Sequence, residues 1–287
     1  MTPTATAALE SAARERADYA GAGRPRRPCP GPAGDRTIAG EIQPAATARS
    51  GVQAGITGVP GETSGEVPAR ALPGARDVLA VIARPGQESV DLGAMLHTFR
   101  RGGARLALLC LTRGEASPLN STCERLETIR SFELQVATGL LGVSSVMVAD
   151  YPDGGLRLAL MPELTERVRR AIRWHAPDLL LVVDPASAGD PEDACAVKAA
   201  CLAAGPVGLP VLARSRPGAC GGWVIELGAD AAAARAIQRC AAGAHLSQSA
   251  AEPQVLRRLD LLGGRERLRW LIPPTPDSRA GEGSTLS

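Results

Sequence analysis

The chain has 287 residues, a formal charge of +2 and 45% hydrophobic residues, enough for one domain of about 200 residues with tails. Its charges are near balance and interspersed, which argues against a nucleic-acid-binding or membrane-surface protein. No apolar run approaches the ~20 residues of a membrane span, and no basic segment followed by an apolar stretch marks a secretory signal, so a cytoplasmic location is expected.

Residues 1–74 are rich in Ala, Gly, Pro, Thr and Arg and hold no sustained period of 2 or 3.6. Such a stretch buries too little apolar surface to offset its ordering entropy, so a disordered tail is expected, with room for a short helix near Thr4–Tyr19. The same reading applies to 273–287, leaving 75–272 as the folded domain. The pattern changes at Asp77–Ala83 (DVLAVIA), a short all-apolar run. Ala104–Thr112, Ser144–Ala149 and Asp178–Val183 are similar runs, of the kind that form strands buried on both faces of a parallel sheet.

Helical stretches separate these strands. In Ser89–Arg101, Leu92, Met95, Leu96 and Phe99 share one face. In Thr122–Leu141 the apolar stripe is Leu126, Ile129, Val136 and Leu140. Pro162–His175 and Pro191–Ala204 follow. Strand–helix alternation of this length predicts right-handed βαβ units and a Rossmann-like, open, mostly parallel sheet with helices on both faces. Pro206–Ala213 and Gly222–Leu227 read as strands five and six. Ala229–Ala242 reads as a helix, and Ser249–Leu271 as a further helix with a short edge strand.

In open parallel sheets, ligands bind beyond the carboxyl ends of the strands. The loops there carry Arg84-Pro85-Gly86-Gln87-Glu88, Thr112-Arg113-Gly114-Glu115, Asp150 through Gly155, and Asp184 through Asp193. Glu133 lies on the apolar side of its helix and needs a partner; Arg130, one turn away, is the obvious one. Nucleotide motifs are missing: there is no G-x-G-x-x-G, no G-x-x-x-x-G-K-[ST], and the sole lysine is Lys198. No G-x-S-x-G serine elbow occurs. The seven cysteines contain no C-x-x-C pair and read as reduced thiols. His97, His175 and His245 are too scattered to read as a ligand set.

The ordered set of motifs resembles the PIG-L/LmbE-like N-acetylglucosaminyl deacetylase family. VIARPGQES (Val81–Ser89) stands where that family has strand-P-H-P-D-D-E. LCLTRGEAS (Leu109–Ser117) is similar to its T-x-G-E loop, and ETIRSFELQVATGLLGV (Glu127–Val143) to its R-x-x-E-L helix. VADYPDGGL (Val148–Leu156) resembles Y-P-D-G, GDPEDACAV (Gly189–Val197) stands at H-P-D-H, and AHLSQ (Ala244–Gln248) at H-x-S-Q. The resemblance implies a zinc hydrolase of N-acylated amino sugars. In it, a His and an Asp of the first motif and the last His of H-P-D-H hold the metal. The other Asp of the first motif is the general base, and the first His of H-P-D-H stabilises the oxyanion.

All five positions differ here. The metal-ligand positions are Arg84, Gln87 and Asp193; the general-base and oxyanion positions are Gly86 and Asp190. Arg84 is a permanent cation that binds no metal, and Gln87 is a weak neutral ligand. Zinc is therefore implied by resemblance alone, and none is expected from the residues. The Arg84 guanidinium is expected to replace the metal, paired with Asp193, Asp190 or Asp184. Arg130 and Asp153 match the family's substrate-contacting positions, and Glu88, Glu115 and Asp184 are further rim candidates.

Three functions fit this reading. One is a deacetylase-like homologue that binds an N-acylated amino-sugar-like molecule without metal hydrolysis. Another is a hydrolase using rearranged carboxylates, Glu88, Asp153, Asp184, Asp190 and Asp193. The third is a non-catalytic, protein-binding module.

Overall fold

The computed structural model describes residues 71–116, 125–250 and 254–275. The expected tail helix at Thr4–Tyr19 lies outside the described residues. Seven strands form one sheet, β1 (Asp77–Ile82), β2 (Arg105–Thr112), β3 (Ser145–Tyr151), β4 (Leu179–Val183), β5 (Val211–Ser215), β6 (Trp223–Glu226) and β7 (Arg265–Ile272). Their order is β3-β2-β1-β4-β5-β7-β6. The first five run parallel, and β7 pairs antiparallel with both β5 and β6. The chain order reverses between β1 and β4, so the crevice for a ligand opens beyond their carboxyl ends.

The helices are α1 (Gln87–Val90), α2 (Gly93–Arg101), α3 (Leu126–Leu141), α4 (Met161–His175), α5 (Pro185–Ala188), α6 (Pro191–Ala204), α7 (Ala231–Ala244), α8 (Leu246–Ser249) and α9 (Gln254–Asp260). Strand β1 explains the layering. Val78, Ala80 and Ile82 point to a core shared with α2, α3 and α7, whereas Leu79, Val81 and Ala83 point to a core shared with α4 and α6. A strand covered on both faces has no solvent side, so its sequence does not alternate. Almost the whole core is aliphatic, as a chain with 2% aromatic residues requires.

Three expectations change. Gly205–Val207 is a 3-10 turn and the fifth strand begins only at Val211. Pro206 has no amide to donate to a ladder and sets the φ of the turn instead. The last strand has eight residues and lies inside the sheet, leaving β6 as the edge. Finally, α3 buries Leu126, Arg130, Glu133, Leu134, Ala137, Thr138 and Leu141, while Ile129, Val136 and Leu140 are exposed. The helix carries two apolar stripes. The buried one includes polar side chains because each finds a hydrogen-bond partner there.

Candidate functional site

The carboxyl ends of β1 and β4 open into a cleft of about 270 Å³ whose walls include Arg84, Gln87, Asp91, Asp190, Asp193, Arg216, His245 and Gln248. Residues 84–88 leave β1 and turn into α1. Gly86 has φ 102°, a conformation that glycine adopts without strain. A Cβ there would stand 2.9 Å from the side-chain oxygen of Gln248, so the Gln248 amide fills the space beside this turn.

Below the turn a set of buried polar side chains pair with one another, leaving His245 Nδ1 and Arg130 Nε as buried atoms with no hydrogen-bond partner. Glu88 is completely buried (0% exposed) and accepts from Ser89 Oγ at 2.6 Å and from the Gly86 amide at 2.8 Å. His245 Nε2 lies 2.6 Å from the same carboxylate. Burial pushes the Glu88 carboxyl up, but His245, Ser89 and the Gly86 amide outweigh it, and the net shift is downward. Glu133 accepts from the Ser247 amide and hydroxyl, both at 2.7 Å. Arg130 does not take that carboxylate as expected; its Nη1 donates to the Gly114 carbonyl oxygen. Gly114, at φ 72°, has no Cβ, and one would lie 2.8 Å from that nitrogen. Burial lowers the Arg130 pKa, although Asp153 and Glu133 oppose it.

At the rim the arrangement is different. Arg84 Nη2 donates to Asp190 Oδ2 and stands 4.0 Å from Asp193 Oδ1. Gln87 turns its side-chain oxygen to the amides of Ala83 and Arg84, at 2.9 and 3.2 Å. Its Nε2 donates to Asp193 Oδ1 at 2.5 Å. Asp193 is 2% exposed, and its Oδ2 is a buried atom with no hydrogen-bond partner. Burial raises its pKa, against the pull of Gln87 and Arg84. Arg216 clamps Asp91 bidentately at 2.8 and 2.9 Å and lies 3.8 Å from Asp193 Oδ2.

Asp190 also caps α6, accepting from the Glu192 amide at 2.9 Å. Glu192 accepts from the amides of Leu156 and Arg157 at 2.9 and 3.3 Å, tying α6 to the loop that carries Asp153. The Asp153 amide donates to Glu115 Oε1 at 3.1 Å. The Asp153 carboxyl is shifted up by burial, which Arg84 and Arg130 partly offset.

Of the sequence-predicted residues, Arg84, Gln87, Asp190 and Asp193 come together, and Glu115, Arg130 and Asp153 form a second group beside Arg84. Two candidates move away from the rim. Glu88 belongs to the buried support just described. Asp184 caps α5 and is bonded by Ser215 at 2.6 Å, Ala186 N at 3.0 Å and Arg269, which leaves it no link to Arg84. A carboxylate at 1% exposure needs such partners, and the neighbouring strand ends supply them. Asp91, Glu192, Arg216, His245 and Gln248 were not singled out from the sequence as site residues. For Arg216 a signal exists: it stands just past the end of a parallel strand, whose expected end at Ala213 falls two residues short of the observed one.

The residues do not fit a zinc site. Among the described residues no cluster of three His, Cys, Asp or Glu side chains could hold a metal ion. At the resembling positions, Arg84 is a cation, Gln87 presents its amide nitrogen, and Asp193 has one oxygen engaged by Gln87. Zinc asks for about three anionic or imidazole donors.

Fold and cleft define a doubly wound α/β protein with a polar site at the topological switch. The comparisons narrow this. The family model described as PIG-L, GlcNAc-PI de-N-acetylase, matches residues 79–204. A probable N-acetyl-alpha-D-glucosaminyl L-malate deacetylase 2 of Bacillus anthracis is 29% identical over 122 residues. That match takes in 41% of this chain, and the chain spans about half (54%) of the length of that curated relative. The N,N'-diacetylchitobiose deacetylase of Pyrococcus horikoshii has the same fold, with TM-score 0.54 at 17% identity over 71% of this chain and 88% of its own. So has the 4-carboxy-2-hydroxymuconate hydratase of Pseudomonas putida, with TM-score 0.52 at 16% identity over 70% of this chain and 98% of its own. Over residues 79–204 this chain is similar to the PIG-L/LmbE-like deacetylases, and it shares their fold. The hydratase indicates that the fold alone does not dictate one reaction.

Proposed function

We propose that this protein binds an N-acylated amino-sugar-like small molecule in the cleft and does not perform metal-dependent hydrolysis. The observation that carries the reading is the Arg84 guanidinium, seated on Asp190 and 4.0 Å from Asp193 where the family resemblance puts a metal. A fixed cation there repels a dication and neutralises Asp190, one of the two carboxylates that would otherwise attract one. Without the metal, no single group among the described residues of the cleft both activates water and polarises an amide carbonyl.

The ligand class is supported by the similarity to the family model and to relatives named as deacetylases of N-acetylated sugars. In this reading Arg130 and Asp153 contact the ligand, with Glu115 holding the Asp153 loop. Residues 75–272 form the binding domain, and 1–74 and 273–287 are accessory. A cytoplasmic setting suits the free thiols of Cys110, Cys195, Cys201, Cys220 and Cys240. Among the described residues no helix is long and apolar enough to cross a membrane.

The hydrolase built on rearranged carboxylates is less well supported, because Glu88 and Asp184 are committed to interior hydrogen bonds. The deciding experiment joins metal analysis of the purified protein with a thermal-shift screen of N-acetylated amino sugars. Well under one equivalent of zinc is expected, with a ligand-dependent rise in Tm. Arg130→Ala and Asp153→Ala should each remove that rise. Stoichiometric zinc together with release of acetate would overturn the proposal.

A further inference from the structure

Beyond its first turn, where Arg125 is exposed and Glu127 half-exposed, the outer face of α3 carries no charge. Its exposed residues between 128 and 140 are Thr128, Ile129, Phe132, Gln135, Val136, Gly139 and Leu140. Four of them are large and apolar, with Ile129 40%, Phe132 67%, Val136 41% and Leu140 45% exposed. They recur at intervals of three, four and four, which on a helix makes a continuous stripe about 16 Å long. Leu246, 67% exposed, precedes Ser247, whose bonds to Glu133 bring the start of α8 against this helix. By contrast, α4 covers its outer side with Glu166, Arg169, Arg170 and Arg173 in ion pairs. The inner face of α3 accounts for its place in the fold, so the stripe is not needed to hold the helix.

We propose that this stripe is the centre of a two-fold interface with a second copy of the chain. In such an interface each patch meets itself, so a charge near the axis would face its own like. A face with seven exposed residues and no charge avoids that repulsion, in a chain where 22% of residues are charged. A face for a foreign partner has no such reason to shed charge, because the partner can carry the opposite sign. Homodimer interfaces are also more apolar than those between transient partners. The four side chains offer on the order of 300 Å² of apolar surface per copy, the core of an interface that needs about 800 Å² per copy. Gly139, with open space where its Cβ would be, lets two helices approach closely at one end of the stripe.

The test uses the full chain in sedimentation equilibrium, with a basic variant (Phe132→Lys, Val136→Lys) and an acidic variant (Phe132→Glu, Val136→Glu). The wild type should dimerise reversibly and with little dependence on salt, since no ion pairs are involved. Each variant alone should be monomeric with unchanged helix content by circular dichroism. Mixed in equal amounts, the two should form a 1:1 heterodimer that high salt weakens. A wild type monomeric at high concentration overturns the proposal, as it would if residues 1–70 or another protein cover this face. Dimerisation undiminished in either variant, or failure of the mixed variants to recombine, overturns it as well.

Discussion

Arg84 and Glu88 are four residues apart on one turn, yet their surroundings are opposite. Glu88 is sealed under the cleft and holds His245, 157 residues away, in a bond that ties the start of α1 to the end of α7. Arg84 is a third exposed and holds Asp190, also a third exposed, across the mouth. The buried support keeps the residue types of the family resemblance: Glu88, Glu133, His245, Ser247 and Gln248. The rim residues differ from those that the resemblance leads one to expect. A buried, hydrogen-bonded carboxylate fixes the chain, because removing one partner leaves the other unpaired in a dry place. An ion pair at the mouth is cushioned by water and can be exchanged at little cost to folding. The chemistry of this fold can therefore be rewritten at the rim while the architecture persists.

The contrast is tested first at its strong end. Glu88→Ala should cost about 3–5 kcal/mol, the usual loss when a buried pair is broken from one side. For a domain of this size that lowers Tm by about 10 °C, read by thermal unfolding. The pH dependence has a definite sign. The folded-state pKa of Glu88 is lowered from 4.5, so its contribution is present above that value and is lost as pH falls through the folded-state pKa. The gap between wild type and variant should hold from neutral pH to about 5 and narrow below 4. A flat gap would mean that packing, not charge, dominates.

Glu192→Ala comes next. The Glu192 carboxylate ties the Asp153 loop to α6 through two amide donors, and freeing both should cost about 1–2 kcal/mol. Any ligand-induced rise in Tm should shrink together with stability, because the loop that carries Asp153 loses its anchor. Arg84→Ala should cost less, about 1 kcal/mol or below, because both partners reach solvent. Equal losses for Arg84→Ala and Glu88→Ala in the same denaturation series would erase the distinction drawn here between rim and support.

Much of this was legible in the sequence, for identifiable reasons. The first four strands announce themselves as apolar runs because both faces of the sheet are covered. The meeting of Arg84 with Asp190 follows from motif order, since both loops leave the same edge of a parallel sheet. What stayed hidden depends on distant pairing. The bond from Glu88 to His245 leaves no local trace, and no period shows that β7 inserts between β5 and β6. On α3 the apolar pattern pointed to the wrong face. Its buried stripe contains Arg130 and Glu133, whose partners Gly114 and Ser247 come from elsewhere in the chain.

Asp193 gives the smallest effect and the sharpest sign. Its Oδ1 accepts from Gln87, a bond that the oxygen of an Asn side chain can keep. Asp193→Asn should therefore change stability at pH 7 by about 1 kcal/mol or less. Burial raises the folded-state pKa of Asp193 above 3.8, which reverses the logic that holds for Glu88. Its favourable contribution is complete below the unfolded pKa and is lost as pH rises through the folded one. On acidification from pH 7 towards 4, the wild type should gain stability relative to Asp193→Asn, while it loses stability relative to Glu88→Ala below pH 4.5. Denaturant titrations of the three proteins at a series of pH values measure both slopes. If the two carboxylates gave slopes of the same sign, then Asp193 would be held as an ion by Arg84 and Arg216 as firmly as Glu88 is by His245. The guanidinium groups at the rim would then hold the fold together there.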